Sequence, residues 1–155
     1  DAEMRTCVRL ADSSIYFGWE ILCLGRQASG ERFTQGRLRL GTDIWLDGER
    51  LWTEQGRLHG GEPLLESPIG LAGHTVCATL VAAGGKVTND VLGACKKIGA
   101  SDGACAGITR LPNLVIARWI GDSGEEALRY LTRLWTLLRP ALRNRAAQVP
   151  RIWAT

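Results

Sequence analysis

The dipeptide Asp47-Gly48 constrains the fold more than any other feature, because segments of alternating polarity flank it. Apolar and charged side chains alternate in the ten residues before it, which is the period of a half-buried strand. Asp and Gly tolerate the positive φ that a two-residue hairpin turn requires. The sequence therefore predicts a β-hairpin in which Trp45 opposes Arg50, close enough for a cation–π contact. The same register places Ile44 opposite Leu51.

Further strand signals precede and follow this hairpin. Alternating polarity also marks residues 3–10, and an apolar face on both sides marks residues 15–24 as a strand between two layers. Glycine and proline interrupt residues 57–74, which predicts a loop or short edge strands there. Three later segments also suit strands, and the last two of them meet at a Pro-Asn turn: residues 75–83, 104–111 and 114–120.

Two helices are expected in the second half of the chain. Residues 88–98 are typical of a short helix, and Ser123 with Glu126 forms a capping box for a longer one. Pro140 predicts that this second helix kinks or ends near Arg139. Its apolar stripe consists of Leu128, Leu131, Trp135, Leu138 and Leu142. Many short strands followed by two helices predict a mainly-β layered domain, or α+β by a strict count.

The composition is that of one globular domain. The chain has 155 residues and 45% hydrophobic residues, and its mean hydropathy is −0.04. No apolar run approaches the roughly 20 residues that cross a bilayer, and the polar first residues lack the apolar core of a signal peptide. The five cysteines are an odd number without a C-x-x-C pair, so reduced thiols and a cytoplasmic location are expected.

Positive charge is concentrated near the C-terminus. Residues 110–155 contain eight arginines and three acids, whereas residues 1–109 contain eleven basic and thirteen acidic residues. A basic tail suits nucleic acid, an acidic protein partner or solubility alone. Nucleic acid is the least expected of these, because there is no RNP-like strand motif and no stripe of aromatic side chains for stacking.

The sequence offers little for catalysis. His59 and His74 are its only histidines, and Ser67 lacks the G-x-S-x-G surroundings of an activated nucleophile. Neither common glycine-rich phosphate-binding motif is present. His74 and Cys77 form the only pair with ligand-like spacing, and in a strand they would point to opposite faces. These observations indicate a protein that is not an enzyme and holds no cofactor tightly.

Residues 23–33, with the sequence CLGRQASGERF, form the strongest candidate for a functional segment. Gly25 and Gly30 permit sharp bends, and Arg26 and Glu31 bring opposite charges to the turn. Two interpretations remain open. The two charged residues form an internal ion pair that fixes the corner, or they contact a partner or an ion in transit.

Three segments carry a resemblance to a known family: CLGRQASGERF at residues 23–33, ESPIGLAGH at residues 66–74, and a tail that ends in RIWAT. Together they make the chain similar to the urease accessory protein D family (UreD, also called UreH). The resemblance implies stacked antiparallel β-sheet layers with two helices near the C-terminal end. It also implies a single UreD-like domain over residues 1–155 that lacks the family's N-terminal portion. A fragment, a processed form and part of a longer protein are all compatible with a chain that begins at Asp1.

The resemblance further implies a urease maturation scaffold, or chaperone, that binds apo-urease and the F-type accessory protein. Through that protein it would join the nickel-carrying GTPase and help deliver nickel to the urease active site. Nickel would be in transit and not tightly bound. No membrane is expected as a partner, and nucleic acid is not expected either. The expected partner-binding or ion-path residues are Gly25, Arg26, Ser29, Gly30, Glu31, Glu66, Arg151 and Trp153. Carboxylates suited to weak ion binding are Glu20, Glu31, Asp43, Glu62 and Glu66. The alternative is a β-rich protein-interaction or nucleic-acid-binding module with a basic C-terminal tail.

Overall fold

The computed structural model describes residues 1–154, without the side chains of Gln27, Ile152 and Ala154. Seven strands form two sheets. The first sheet has the order β1-β3-β4, and its strands are β1 (Ala2–Leu10), β3 (Arg37–Leu46) and β4 (Glu49–His59). The second sheet has the order β2-β5-β7-β6, and its strands are β2 (Tyr16–Cys23), β5 (Val76–Ala83), β7 (Leu114–Gly121) and β6 (Cys105–Leu111).

Three α-helices accompany the sheets: α1 (Pro63–Glu66), α2 (Asn89–Lys96) and α3 (Gly124–Arg143). The helices α2 and α3 cover one face of the second sheet, and the first sheet lies on its other face. The architecture is therefore mainly β, with two sheet layers and one helical layer, and it confirms the predicted fold class. Every neighbouring pair of strands is antiparallel except β1 and β3, which are parallel.

The β3–β4 hairpin is present, with positive φ at both turn residues. Trp45 opposes Arg50 as predicted, and the Arg50 guanidinium carbon lies 5.5 Å from the centre of the Trp45 ring. The predicted pairing of Ile44 with Leu51 is wrong, because a bulge shifts the register and Ile44 pairs with Trp52. Without that shift, Thr53, Gln55 and Arg57 of β4 would point towards the second sheet. With the shift, Trp52, Glu54 and Leu58 point towards it instead.

Helix α3 anchors the third layer. The Ser123 hydroxyl accepts a hydrogen bond from the Glu126 backbone N–H at 3.3 Å, which is half of the predicted capping box. The Glu126 carboxylate instead accepts a hydrogen bond from the Ser101 hydroxyl at 2.7 Å. The face that packs on the second sheet is broader than the predicted stripe, and Leu128 and Leu142 are only half-buried. Its buried residues are Ala127, Tyr130, Leu131, Leu134, Trp135 and Leu138.

Pro140 does not end α3, so the predicted end near Arg139 is wrong. The helix continues to Arg143 and ends at Asn144, which adopts the left-handed conformation with φ 50°. The Asn144 backbone N–H donates to the Pro140 carbonyl at 2.8 Å. Proline removes one backbone donor but keeps its own carbonyl, so the last turn still closes around it. Among residues 1–154, no helix has the length and apolar character that a bilayer span requires.

Candidate functional site

Residues 23–33, here called the corner loop, leave the end of β2 and turn sharply at Gly25. The φ of Gly25 is +101°, and a Cβ added there would lie 2.5 Å from the Glu31 carbonyl oxygen. Only glycine fits this approach of two backbone segments. Gly30 also has positive φ, at +72°, but nothing lies within 4 Å of its missing side chain. The loop is closed by the Ser29 N–H, which donates to the Arg26 carbonyl at 2.9 Å.

The predicted ion pair between Arg26 and Glu31 is present in this loop. Arg26 Nε lies 2.7 Å from Glu31 Oε2, and the Arg26 backbone N–H donates to the same oxygen at 3.4 Å. The hydrogen bond from Arg26, and then its positive charge, lower the pKa of the Glu31 carboxyl. Both side chains remain open to solvent, with 81% of Arg26 and 50% of Glu31 exposed. The pair closes the corner and still leaves two charged groups that a partner can reach.

Residues 66–74, here called the second signature segment, meet the corner loop around a small cavity of about 110 Å³. We call it the loop cavity. Arg32 and Phe33 line it from the corner loop, and Glu66 and His74 line it from the segment that follows β4. Thus two segments that are far apart in sequence form one surface region, and Glu66, a predicted site residue, belongs to it. The other predicted residue pair, Arg151 and Trp153, lies elsewhere.

The His74 ring contacts Asp122, which lies between β7 and α3. Its Nδ1 lies 3.0 Å from Asp122 Oδ2, and the other Asp122 oxygen accepts a hydrogen bond from the Thr75 N–H at 3.1 Å. Cys77 lies on β5 and lines a different cavity. Burial raises the pKa of the Cys77 thiol, which disfavours the thiolate that binds metals. The pair is thus divided between two cavities, and because His74 precedes β5, the prediction of opposite directions within one strand does not apply to it.

The larger cavity, of about 660 Å³, lies between the two sheets and is here called the inter-sheet cavity. Its lining is mainly apolar and includes four charged residues: Glu20, Glu54, Arg57 and Arg118. Glu20 accepts a hydrogen bond from the Thr6 hydroxyl at 2.9 Å, which joins β2 to β1. Across the cavity, Glu54 pairs with Arg118 at 2.7 Å, which joins β4 to β7. Each carboxylate that lines the cavity is therefore engaged by a single side chain of the opposite sheet.

The structure separates the five carboxylates that the sequence suggested for weak ion binding. Glu20 lines the inter-sheet cavity, whereas Glu62 and Glu66 line the loop cavity. Glu31 lies in the corner loop, and Asp43 lies 3.8 Å from Arg5 on the outside of the first sheet. The structure adds Glu54, which the sequence analysis did not select. Its inward direction depends on the β4 bulge, and no local pattern indicated that bulge.

The C-terminal tail contributes to the core. Trp153 packs edge-on against Trp19, with ring centres 4.7 Å apart, and against Trp135, at 5.2 Å. Arg151 is exposed in the short 3-10 turn at Arg151–Ala154. Both of these ring contacts of Trp153 are internal, so its ring stabilises the tail on the second sheet. The final residue of the RIWAT sequence lies outside the described residues.

The described residues contain no obvious centre for a resident metal ion. Nowhere within residues 1–154 do three His, Cys, Asp or Glu side chains come close enough to one another to hold one. The arrangement offers a mainly apolar cavity with two carboxylates that have one side-chain partner each, and a separate solvent-exposed loop with an ion pair.

Comparison with known proteins gives one consistent result. The sequence model of the family described as UreD urease accessory protein matches residues 1–154. The chain is 47% identical over 157 residues to the urease accessory protein UreD of Dechloromonas aromatica, covering 99% of this chain and 54% of that protein. It is 45% identical to the protein of that name from Azoarcus sp. (strain BH72), covering 99% and 53%. The chain spans about half the length of the curated relatives it matches.

Proposed function

The chain belongs to the UreD urease accessory protein family, and on that premise we propose that it acts in urease maturation as a scaffold that binds apo-urease. Its contribution is to position other proteins and to guide nickel as cargo, without making or breaking a covalent bond. It also binds the F-type accessory protein and, through it, the GTPase that carries nickel. The setting proposed for this assembly is the cytoplasm, in keeping with five cysteines that are all free thiols.

The observation that most favours this proposal is the inter-sheet cavity, whose lining includes two carboxylates and two arginines. A site that stores a metal ion surrounds it with several ligands, and those ligands hold it tightly. Glu20 and Glu54 instead have one protein partner each, at 2.9 and 2.7 Å. A carboxylate with a single protein partner can exchange that partner for a divalent cation and then release the cation again. This arrangement suits an ion that passes along the layers and is handed to another protein.

The corner loop supports the docking part of the proposal. It lies at one end of β2, and its ion pair is accessible to solvent. The second signature segment lies against it around the loop cavity. Loops on rigid sheets commonly carry binding residues, because the scaffold fixes their geometry. We therefore assign the partner contact to Arg26, Glu31 and Glu66, and an internal, positioning role to Gly25 and Gly30.

A pull-down against apo-urease tests the scaffold role. The chain would be compared with the full-length protein of a relative, each with and without the F-type accessory protein. Retention of both proteins by apo-urease, stronger when the F-type protein is present, is the expected result. If the full-length relative is retained and this chain is not, the contact lies in the part of the relatives that this chain does not span. If neither is retained, the scaffold proposal is wrong.

Urease activation with variants tests the two candidate regions separately. Arg26→Ala combined with Glu31→Ala should lower activation while the unfolding midpoint changes little, because both side chains are exposed. Equal losses of activation and stability would show instead that the pair serves the fold alone.

Glu20→Gln should lower urease activation, because it removes a negative charge from the inter-sheet cavity. Glu125→Gln, at a carboxylate that is 82% exposed on α3, is the matched control and should activate normally.

A further inference from the structure

The outer face of the first sheet is strongly basic, although residues 1–109 as a whole carry a slight excess of acids. Residues with odd numbers on β1 and β3 point away from the second sheet, and so do Arg50 and the odd-numbered residues of β4 beyond the bulge. These outward positions hold six arginines and two acids: Arg5, Arg9, Arg37, Arg39, Arg50 and Arg57, with Glu3 and Asp43. The formal excess of four positive charges exceeds the net charge of +3 for the whole chain.

Three of these arginines, Arg9, Arg39 and Arg57, have no ion pair, hydrogen bond or ring contact within residues 1–154. Arg39 and Arg57 oppose each other directly across β3 and β4, and both are exposed. Like charges in directly opposed positions destabilise a sheet. Within residues 1–154, neither guanidinium makes an ion pair or a hydrogen bond, not even with Glu3, the neighbour of Arg39 on β1. By contrast, Arg37 is paired with Asp1 at 2.7 Å, and Arg50 covers the Trp45 ring.

A hollow lies beside these two arginines. Gly41 is the next outward position on β3, between Arg5 on β1 and Gln55 on β4. Because Gly41 has no side chain, the sheet surface sinks there into a depression of about 440 Å³, which Arg39 and Arg57 also line. A Cβ added at Gly41 would lie 3.8 Å from Arg5 Cγ, and no other such neighbour among the described residues comes within 4 Å of it. We call this depression the Gly41 hollow.

We propose that the outer face of the first sheet binds a carboxylate-bearing segment of a protein partner, with an Asp or Glu side chain in the Gly41 hollow between Arg39 and Arg57. Guanidinium groups bind carboxylates through paired, charge-assisted hydrogen bonds, and arginine is favoured at such interfaces. An incoming carboxylate would also relieve the repulsion between the two opposed arginines. This site lies apart from the corner loop, whereas Gly41, Glu54 and Arg57 line both the hollow and the inter-sheet cavity.

The remaining side chains of this face favour a protein over a nucleic acid. Glu3 and Asp43 line the same hollow and would repel a continuous chain of phosphates. Single-stranded nucleic acids also need exposed aromatic rings for base stacking. The aromatic residue on this face, Trp45, already has the Arg50 guanidinium over its ring. A protein segment of mixed composition can place neutral or basic groups opposite the two acids.

Fluorescence anisotropy with a labelled glutamate–alanine copolymer tests the proposal directly, because neutral residues separate its carboxylates as they would in a protein segment of mixed composition. The intact chain should bind the polymer at low salt, and added salt should weaken binding. Arg39→Gln with Arg57→Gln should weaken binding by about tenfold. Gly41→Leu should weaken it by about threefold without a change of charge, because a leucine side chain occupies the hollow. Thermal unfolding of each variant shows whether the fold is retained.

The matched control is Arg133→Gln with Arg145→Gln, which removes the same charge from exposed positions outside the first sheet. It should change affinity by less than about twofold. An equal loss in this control would mean that net charge alone attracts the polymer, and would overturn the proposal. If the Gly41→Leu variant folds and binds as tightly as the unaltered chain, the carboxylate does not bind in the Gly41 hollow. Tighter binding of polyuridylate, lost in the Arg39/Arg57 variant, would identify a nucleic-acid surface and exclude the proposed partner class.

Discussion

Single residues in the corner loop differ in what they contribute to the fold. Gly25 and Gly30 both have positive φ, yet only Gly25 lies against another backbone segment. Arg26 and Glu31 connect the two ends of the turn, and they do so in solvent. At this scale, the backbone approach at Gly25 fixes the path of the loop, and the ion pair adds an interaction that depends on pH and salt.

Gly25→Ala should lower the free energy of unfolding by about 2 kcal/mol, because a Cβ there meets the Glu31 carbonyl and the backbone has positive φ. Gly30→Ala is the matched control in the same loop. It has positive φ but open space, and should lower the free energy by about 1 kcal/mol. Urea unfolding followed by circular dichroism measures both. Equal losses would contradict the close approach described at Gly25.

The pKa of Glu31 should lie below its ordinary value of 4.5, because Arg26 donates a hydrogen bond to the ionised carboxylate. Arg26→Gln should return that pKa towards 4.5, measured by NMR titration of the Glu31 side chain. A lowered folded-state pKa means that the pair stabilises the fold above pH 4.5, and that this contribution fades as the pH falls through the folded-state value. Arg129→Gln, which breaks the Arg129–Glu125 pair on α3, should leave the Glu31 titration unchanged.

Among the elements, α3 joins the helical layer to the second sheet. Its buried face packs against β2, β5 and β7, and Asn144 ends it. Leu134 lies at the centre of the buried face and is 0% exposed, whereas Leu137, less than one turn later, is 36% exposed. The position of a leucine around the helix therefore decides how much it contributes to stability.

Leu134→Ala should lower the free energy of unfolding by about 3 kcal/mol, since it removes a fully buried side chain and leaves a cavity. Leu137→Ala makes the same chemical change on the same helix at an exposed position. Its effect should stay below about 1 kcal/mol. Guanidinium unfolding of the two variants provides the comparison. Similar losses would mean that Leu137 is covered in solution.

Sequence patterns predicted the elements better than their pairing. The turn at Asp47-Gly48, the Ser123 cap and the layered fold were all predictable, because each depends on local chemistry or periodicity. The bulge beside Trp45 was not, because burial of β4 against the second sheet selects it. The end of α3, one of the two outcomes predicted at Pro140, was placed too early, since helix propensity does not include the packing that continues α3 to Arg143.

In the candidate site too, local features could be predicted from the sequence and features that depend on strand pairing could not. The Arg26–Glu31 pair could be predicted from two charges on a short turn. The inter-sheet cavity could not, because it requires β1 to pair in parallel with β3 and β2 to join the other sheet. The basic outer face was also missed. A count of charges along the sequence balances its arginines against acids such as Glu20 and Glu54, which the fold places on the opposite side.

At the scale of the whole molecule, three layers are held together by contacts that cross between them. Ile44 and Trp52 of the first sheet pack on the second, and Tyr130, Leu131 and other α3 residues pack on its far side. The tail adds a last connection, because Trp153 lies between Trp19 of β2 and Trp135 of α3. Removing that ring should loosen the tail and the third layer together.

Trp153→Ala should lower the free energy of unfolding by about 2 kcal/mol, because it removes two edge-on aromatic contacts from a half-buried position. Trp45→Ala is the comparison at another half-buried tryptophan, whose described ring contact is with Arg50. Its effect should be about 1 kcal/mol. Urea unfolding measures the two losses. A larger loss for Trp45 would contradict the anchoring role of the tail.

The path of the chain through the two sheets has a practical consequence. Strand β2 lies between β1 and β3 in the sequence, yet its hydrogen-bonded partner is β5 of the other sheet. A cut within residues 61–74 would thus yield one fragment with the entire first sheet plus β2, and another with everything else. Eight residue pairs between β2 and β5 would then be the main-chain ladder that rejoins them. The fold therefore consists of two complementary halves, and β2 of the first half pairs with β5 of the second.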